Sequence, residues 1–323
     1  MQRGTQRVAI IGAGLAGLTC ADALRETHDV TVFEKSRGIG GRLSTRRAMV
    51  GDETVRFDHG APVLNGLSPD MRERLEDAGS VVEWDRAPSL DEPALVGTPQ
   101  MNRTAAPLAE GLDIRFQARV GRIADGVLHM EPHEREGGTA TGEEGPFDRI
   151  VLAIPPAQAA ALLVAPEPAM TQTLAAIPMV PCWTLMIAFE HAPDDGIEGL
   201  HDPDGEVIWL VREASKAGRV TFPDRWVMQM SPSWSRAHLD LDREDALREL
   251  KRVFASHVRD DEPLFAAAHR WKHAYASEPL GHPCLANADE TLLVGGDWCL
   301  GPHAGHAVES GLAMAERIRD VSG

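Results

Sequence analysis

Three glycines near the start of the chain have the spacing that holds the pyrophosphate of a dinucleotide. They lie in the stretch GAGLAG, directly after a short apolar run and at the start of a helical pattern. The first glycine permits a tight turn, the second lets the backbone approach a phosphate, and the third lets helix and strand pack closely. Free N–H groups at the helix N-terminus add to the anion site. We therefore expect cofactor contacts from the whole motif, which comprises Gly12, Ala13, Gly14, Leu15, Ala16 and Gly17.

An acid and a second glycine turn follow this motif. Glu34 closes the next strand, where its carboxylate can accept hydrogen bonds from a ribose diol, which favours FAD or NAD over NADP. The chain continues as EKSRGIGGRL, in which Gly40 and Gly41 form a permissive turn. Arg42 can add a cation to the same pyrophosphate, the alternative being a solvated basic face. A plain NAD dehydrogenase has no need of this second turn, so the pattern favours FAD.

These two motifs, in this order, resemble the flavin amine oxidase superfamily, whose pattern is G-x-G-x-x-G and then E-x-x-x-x-x-G-G-R. The resemblance implies FAD as the cofactor, and it extends to a second strand, glycine turn and helix near the end of the chain, VGGDWCLGPHAGHAVESG. There Asp297 resembles the acid that binds the ribityl chain of the flavin. The helix start at Gly305 to Val308 resembles the one that faces the N1–C2=O edge of the flavin, where a helix dipole stabilises the anionic reduced form.

Two further segments complete the cofactor site that the resemblance implies. FDHGAP resembles the segment beneath the isoalloxazine, and ARVGRI resembles the segment in which the backbone of Val120 contacts the adenine. Besides the first glycine motif, the residues expected to contact the cofactor are Glu34, Lys35, Gly40, Gly41, Arg42, Leu43, His59, Gly60, Ala61, Val120, Gly296, Asp297, Gly305, His306, Ala307 and Val308.

Sequence blocks outside the cofactor motifs are similar to the bacterial renalase-like group of flavoproteins. They include SPSWSRAHLDLDREDALRELKRVF and HRWKHAYASEPLG. The similarity implies an FAD-dependent oxidase of misreduced dihydronicotinamides, isomers of NADH or NADPH that carry the hydride at the wrong ring position. Flavin N5 takes the hydride, and molecular oxygen reoxidises the flavin to give hydrogen peroxide. The chain departs from that group at Pro62 to Leu64 and around His303, beside the expected flavin face, so the departures bear on the substrate.

Two other functions stay open. One is an amine oxidase or another CH–XH oxidase of the same superfamily, although a chain with Tyr275 as its one tyrosine cannot form a two-tyrosine cage. The other is a flavin-binding protein with little turnover. Hydride transfer needs orientation and exclusion of water more than acid–base groups. The candidate catalytic residues are His303 and His306, as substrate contacts. Their spacing, even with Cys299 nearby, is not that of a zinc site, and we expect no metal.

The composition limits the partners and the compartment. A net charge of −17 disfavours binding to nucleic acid and to anionic membranes. No run reaches the roughly 18 apolar residues of a membrane span, and we interpret the N-terminal apolar run as folded structure rather than a signal peptide. The four cysteines are scattered without a C-x-x-C spacing. We expect a cytoplasmic enzyme with small-molecule partners, and the oligomeric state stays open.

The order of predicted elements places these motifs in an α/β fold. A strand at Arg7 to Ile11, a helix over Leu15 to Thr27 and the strand DVTVFEK form a βαβ unit, and DRIVLAIPP and LLVGGDWC are further buried strands. CWTLMIAFE, EVIWLVRE and RWVMQMSP predict an antiparallel sheet. SPDMRERLEDAG and LDREDALRELKRVFASH predict helices, the second capped by Asp242. HEREGGTATGEEGPF predicts a polar hairpin tip or a loop.

We therefore expect a Rossmann-like FAD-binding domain with a second α+β substrate domain built on an antiparallel sheet. The first domain would comprise residues 1–65, 97–165 and 280–323, and the second residues 66–96 and 166–279. The chain would begin and end in the same domain, which would bring both glycine-rich elements to one cofactor.

Overall fold

The computed structural model describes residues 5–87, 94–131, 142–163, 167–193 and 196–322. Its strands, in chain order, are β1 (Arg7–Ile11), β2 (Asp29–Glu34), β3 (Arg46–Val50), β4 (Glu53–Phe57), β5 (Val81–Glu83), β6 (Leu95–Gly97), β7 (Asp113–Phe116), β8 (Arg119–Ala124), β9 (Val127–Glu131), β10 (Glu143–Glu144), β11 (Arg149–Leu152), β12 (Met179–Phe189), β13 (Gly199–His201), β14 (Val207–Arg212), β15 (Asp224–Met230), β16 (Phe265–Ala276), β17 (Cys284–Ala286) and β18 (Leu292–Gly295). Its α-helices are α1 (Leu15–Leu24), α2 (Pro69–Asp77), α3 (Ala106–Ala109), α4 (Pro156–Leu162), α5 (Pro168–Ala176), α6 (Pro232–Ala237), α7 (Arg243–His257) and α8 (Ala304–Ser322). Short 3₁₀ helices lie at Gly41–Leu43, Met101–Ala105, Glu213–Ser215 and Asp297–Cys299.

The first sheet brings the two ends of the chain together. Its strand order is β17-β18-β11-β1-β2-β7, and every neighbouring pair is parallel except β17 and β18. The inner strands are short apolar runs, as expected for parallel strands that are buried on both faces. Helices α1 and α8 pack against each other on this sheet, and a Cβ on Gly311 would lie 2.4 Å from the carbonyl oxygen of Ala16. The expected Rossmann-like arrangement is therefore confirmed.

The second sheet is antiparallel, with the strand order β13-β14-β15-β12-β16. One face carries Trp183 and Leu185, which pack against Leu250 and Phe254 of α7. The opposite face packs against the β3–β4 hairpin, where Phe57 stacks on Phe265 with the ring centroids 5.4 Å apart. The hairpin thus links this sheet to the segment that follows it, residues 58–62. The mixed α/β fold with a second antiparallel sheet is the one that the sequence predicts.

Local signals in the sequence set several element ends correctly. The side chain of Asp242 accepts hydrogen bonds from the N–H groups of Glu244 and Asp245, so the predicted cap of α7 is confirmed. The helix predicted over Leu15 to Thr27 ends earlier, at Leu24, whose carbonyl accepts the N–H of Thr27 in a closing turn. Most of the predicted hairpin tip at 133–147 lies outside the described residues, and the described part contains β10, paired with β9.

The strand β16 was absent from the prediction, although it is the longest strand of the described residues. Its sequence FAAAHRWKHAYA mixes apolar and charged residues because it is an edge strand. Such a pattern lacks the clean apolar alternation that indicates a strand. This edge strand supplies several of the polar side chains described below.

The division into two domains stays a prediction. Leu75 of α2, Val81 of β5 and Leu95 of β6 belong to the same hydrophobic cluster as Val8 of β1 and Leu18 of α1. The described part of the segment 66–96, which was expected in the substrate domain, therefore shares a core with the first sheet. Within the described residues, every helix is too short or too polar to cross a lipid bilayer.

Candidate functional site

The first glycine motif forms an open cradle at the N-terminus of α1. Gly12 has a φ of +108°, a conformation that favours glycine, and a Cβ on Gly17 would lie 2.0 Å from the carbonyl oxygen of Gly12. These two glycines are required by the turn and by packing. Gly14 differs, because a Cβ there would meet no atom within 4 Å. It is the N-cap of α1, a helix that has no side-chain cap and no acid in its first turn.

Glu34 lies beside this cradle at the end of β2 and is buried. One carboxylate oxygen accepts the N–H of Ala13 at 2.9 Å, and the other accepts the N–H of Ser36 at 2.8 Å. The carboxylate therefore lies against the glycine turn, within reach of a ribose whose pyrophosphate binds at Gly14. The adjacent Lys35 is exposed and donates to the side chain of Gln158 at 2.7 Å.

The segment that contains Val120 also comes close to Glu34. The N–H of Ala118 donates to the backbone carbonyl of Glu34 at 2.9 Å, two residues before Val120. Val120 is buried in β8 and pairs with Met130 of β9. The residues predicted for the ribose and the adenine are therefore neighbours in the fold.

The second glycine turn packs directly on the first. The N–H of Gly40 donates to the carbonyl of Ala13 at 2.8 Å, and a Cβ on Gly41 would lie 3.3 Å from the Cα of Gly14. Both glycines of this turn have positive φ, at +105° and +55°. Leu43 is buried behind the turn. The two motifs, 28 positions apart at Gly12 and Gly40, thus form one continuous surface around the cradle.

Arg42 and Asp297 form a bidentate ion pair, although the sequence predicted them for different parts of the cofactor. One guanidinium nitrogen donates to Asp297 Oδ2 at 2.7 Å and to the carbonyl of Ala274 at 2.8 Å, and the other binds Asp297 Oδ1. Asp297 is buried in the 3₁₀ turn that follows β18. The pair lies between the glycine turns and the start of α8, which is where the pyrophosphate and the ribityl chain of a flavin dinucleotide would meet.

The start of α8 is held close to the loop after residue 62. The N–H of Gly305 donates to the carbonyl of Asn65 at 3.0 Å, and a Cβ on Gly305 would lie 1.6 Å from the carbonyl oxygen of Gly66. Upstream, the N–H of Gly296 donates to the hydroxyl of Ser310 at 2.8 Å. Ala307 and Val308 are buried in the first turns of the helix. Glycine at 305 is therefore required by packing, whatever it contacts in a cofactor.

His303 and His306 lie together at this helix start. Their rings are nearly parallel, with centroids 5.1 Å apart, and His303 is exposed while His306 is half-buried. The N–H of His303 donates to His306 Nδ1 at 3.4 Å. Contact of either ring with a substrate stays a prediction. In the described part of the chain, no group of three or more His, Cys, Asp or Glu residues could hold a metal ion.

The backbone of residues 59–61 is held from both sides. The N–H of Ala61 donates to the carbonyl of Arg42 at 2.8 Å, and a Cβ on Gly60 would lie 1.9 Å from that same oxygen. On the other side, Gln229 Nε2 donates to the carbonyl of Gly60, and Trp271 Nε1 donates to the carbonyl of His59 at 3.0 Å. We call residues 59–61 the platform. It lies between the second glycine turn and the antiparallel sheet.

A row of four side-chain positions crosses the sheet opposite the platform. Trp209 of β14 pairs with Gln229 of β15, Gln229 with Thr184 of β12, and Thr184 with His269 of β16. Residues paired directly across neighbouring strands lie on the same face of a sheet. We call this set the polar row. It faces the platform, because Gln229 binds Gly60 and because the His269 and His59 rings meet with centroids 4.9 Å apart.

Both histidines at this contact are uncharged at neutral pH. Burial, followed by the charge of Arg46, lowers the pKa of His59 to about 4. Burial, followed by His59 and Arg46, lowers the pKa of His269 to about 3. Trp271 lies against both rings, at 5.1 Å from His59 and 4.5 Å from His269. The polar row therefore carries no formal charge. The charged side chains that affect the pKa of His269 are the cations Arg46 and Arg243.

Sequence reasoning missed the polar row. Its members lie between positions 184 and 269 and are brought together only by strand register. A local signal existed in WVMQM, where Gln229 interrupts an apolar run within a strand whose residues are all buried. A buried amide needs hydrogen-bond partners, so its presence indicates a polar contact on that face.

The residues around the cradle fit FAD. Gly14 opens onto free space, the N-terminus of α1 offers uncapped N–H groups, and a buried carboxylate lies within the same turn at Glu34. A basic side chain, Arg42, is positioned at the middle of the same surface. The isoalloxazine would then reach the platform and the polar row.

Comparison with known proteins gives the same result. Residues 10–78 match the NAD(P)-binding Rossmann-like domain, and residues 84–319 match the family described as flavin containing amine oxidoreductase. The chain is 39% identical over 79 residues to lysine-specific histone demethylase 1 homolog 3 of Arabidopsis thaliana, and 40% identical over 62 residues to the flavin-dependent L-tryptophan oxidase RebO of Lentzea aerocolonigenes. These alignments cover 24% and 19% of the chain, and only 5% and 13% of the length of the two relatives.

Two solved structures share the fold over nearly the whole chain. A protein from Exiguobacterium sp. 255-15, provisionally described as a protoporphyrinogen oxidase, superimposes with a TM-score of 0.66 at 15% identity, over 99% of this chain and 100% of that one. A triple mutant of putrescine oxidase superimposes with a TM-score of 0.65 at 14% identity, over 98% and 99% of the two chains. At such identities the likeness shows the fold alone. With the family match over most of the chain, FAD is the cofactor, and the chain belongs to the flavin containing amine oxidoreductase family.

Proposed function

We propose that the chain acts as a renalase-like, FAD-dependent oxidase of misreduced dihydronicotinamides, isomers of NADH or NADPH. Bound FAD would supply the hydride acceptor, N5, and would pass the two electrons on to molecular oxygen to give hydrogen peroxide. The residues proposed to hold it are those of the cradle, the second glycine turn, Val120, Asp297 and the start of α8. The chain's own contribution to the reaction is to orient the substrate ring between flavin and polar row and to exclude water there.

The observation that carries this proposal is the uncharged character of the polar row. Thr184 and Gln229 are buried, neutral hydrogen-bonding groups, and the amide nitrogen of Gln229 binds the carbonyl of Gly60. His269 is neutral because burial lowers its pKa to about 3. Neutral donors and acceptors suit the carboxamide of a dihydronicotinamide, whose ring is itself uncharged before it is oxidised. Trp209 and Trp271 add flat apolar surface at either end of the row, which suits a planar ring.

The second candidate is an amine oxidase, which the family match favours. An amine is cationic in solution, so its recognition calls for a carboxylate or an aromatic cage. The polar row contains no carboxylate, and the charged side chains that lower the pKa of His269 are those of Arg46 and Arg243. The aromatic groups at the row are tryptophans, which can form cation–π contacts with an amine. An experiment must therefore decide between an amine and a dihydronicotinamide as the substrate. A flavin-binding protein with little turnover is the third outcome, motivated by Pro62 and by the His303–His306 turn.

Anaerobic titration of the purified protein distinguishes these three candidate functions. We expect NADH isomers reduced at the wrong ring carbon to bleach the visible flavin absorbance at least roughly 100-fold faster than ordinary NADH or a panel of amines, because only they place the hydride correctly over N5. Bleaching by amines alone would replace the proposal with the amine oxidase. A flavin that is reduced by dithionite but by none of these donors would favour the protein with little turnover.

A substitution at Gly14 tests the cradle. We expect Gly14→Val to leave the apoprotein folded, because its φ of −80° suits any residue and its Cβ meets no atom within 4 Å. The side chain would fill the space proposed for the pyrophosphate, so the dissociation constant for FAD should rise at least roughly tenfold. Gly142→Val is the matched control, since a Cβ there also meets nothing within 4 Å. Equal FAD affinity in the two variants would place the pyrophosphate elsewhere.

The neutrality of the polar row has a consequence for stability against acid. The folded pKa of His269 lies at about 3 and the ordinary value at 6.5, so the unfolded chain binds the proton more readily. The contribution of His269 to the free energy of unfolding is therefore fully present above pH 6.5. It is lost as the pH falls toward 3, by up to roughly 1.4 kcal/mol per pH unit. In His269→Gln, urea midpoints measured from pH 7.5 to 5 should fall less steeply than in the wild type. The exposed His191→Gln should behave as the wild type, and an unchanged slope in His269→Gln would contradict a neutral, buried imidazole.

A further inference from the structure

A buried ionic cluster directly precedes the platform and has no place in the function proposed above. Its centre is Asp58, whose side chain is 1% exposed. One carboxylate oxygen accepts the hydroxyl of Thr45 at 2.6 Å and the N–H of Met101 at 3.0 Å. The other accepts two hydrogen bonds from Arg219, at 2.5 and 3.2 Å, and lies 3.8 Å from Lys216 Nζ. A burial this deep is costly for a carboxylate unless cations compensate it.

Both cations come from residues 213–219, which form the first part of the connection between β14 and β15. This connection leaves the antiparallel sheet and packs against elements outside it. Trp84 Nε1 donates to the carbonyl of Ser215 at 3.0 Å, and Arg219 also donates to the carbonyl of Gly97 at 2.6 Å. A Cβ on Gly218 would lie 2.6 Å from the hydroxyl of Thr98. The connection is therefore fixed to Trp84, Gly97 and Thr98 as well as to Asp58.

The two carboxyl groups of the cluster, those of Asp58 and Glu213, have pKa values that shift in opposite directions. Burial alone would raise the pKa of Asp58, but the charges of Lys216 and Arg219 outweigh it and lower this pKa. Burial, together with the charge of Asp58, raises the pKa of Glu213. Glu213 Oε1 and Lys216 Nζ are 3.7 Å apart, and each is buried without a hydrogen-bond partner. Asp58 is therefore the charged carboxylate that both cations share.

The position of Asp58 gives this cluster a direct connection to the platform. The next residue is His59, whose carbonyl is bound by Trp271 of β16, and then Gly60, whose carbonyl is bound by Gln229 of β15. The β14–β15 connection holds the Asp58 side chain, and the antiparallel sheet holds the backbone carbonyls of His59 and Gly60, so residues 58–60 are fixed at three successive points. The contact between platform and polar row depends on all three.

The geometry points to Asp58 as a positioning residue for the flavin: through Arg219 and Lys216, it fixes the platform at a set distance from the polar row. Asp58 touches neither cofactor nor substrate in this scheme, because it faces away into the ionic cluster. Loss of its charge would leave Arg219 and Lys216 buried without their shared carboxylate, and residues 58–60 would lose the first of their three attachments. The inference needs bound FAD but does not depend on which substrate is oxidised.

The test uses Asp58→Asn and Arg219→Met, with Asp224→Asn as the matched control. Asp224 is buried to the same degree and forms an equally close ion pair with Arg212 in the same sheet, without touching the platform. For each FAD-loaded protein, the readouts are the visible circular dichroism of the flavin, its midpoint potential and the FAD dissociation constant. A thermal melt reports the general loss of stability.

Asp58→Asn and Arg219→Met should change the dichroism and the midpoint potential and raise the FAD dissociation constant roughly tenfold. Arg219→Lys, which keeps the charge, should restore part of each change. Asp224→Asn should retain the wild-type spectrum, potential and FAD affinity, even if it melts at a similarly lowered temperature. If Asp58→Asn does not fold, the Arg219→Lys and Arg219→Met pair decides in the same way. Wild-type flavin properties in the Asp58 and Arg219 variants, or equal changes in Asp224→Asn, would overturn the inference.

These readouts need no substrate. Failure of the dihydronicotinamide proposal in the anaerobic titration would therefore leave this test intact. Conversely, unchanged flavin properties in the variants would not alter the choice of substrate.

Discussion

The site is organised around one arginine. The guanidinium of Arg42 binds Asp297 and the carbonyl of Ala274, while its own carbonyl accepts the N–H of Ala61. The preceding Gly41 lies against Gly14 of the first motif. A single residue thus joins the start of the chain, the platform, the edge strand β16 and the last strand–turn–helix element. A bidentate arginine–carboxylate pair fixes direction as well as distance, which a lysine in this place would not do.

This arrangement explains why the chain begins and ends in the same sheet. A flavin dinucleotide is long, and its two halves need separate anion and hydrogen-bonding sites. The element β1–α1 provides one helix N-terminus, and the element β18–α8 provides another, on neighbouring parts of one parallel sheet. The antiparallel sheet is inserted between them in the sequence, and it supplies the opposite wall of the site. We therefore propose that cofactor binding and substrate choice reside on different elements, which lets the substrate change within a family while the cofactor is kept.

The elements of the proposed cofactor half could be placed from the sequence because their signals are local. GAGLAG, Glu34 and the second glycine turn lie within the first 42 residues, and each has a direct physical reason for its residue types. The cap at Asp242 was equally local. The substrate half could not, because the polar row depends on the register of β14, β15, β12 and β16, and β16 itself has no clean alternation. The pairing of Arg42 with Asp297, which are 255 positions apart, likewise arises only when both ends of the chain fold against each other.

The most direct test of how cofactor and substrate sites are joined is an experimental structure of the protein with FAD bound. The expected result places the pyrophosphate over Gly14, the adenosine ribose at Glu34, and the isoalloxazine against residues 59–61, beside the row formed by Trp209, Gln229, Thr184 and His269. A flavin ring that lies away from these residues, or a pyrophosphate bound away from Gly14, would contradict the account. Either finding would separate the polar row from the chemistry and would remove the basis for an uncharged substrate.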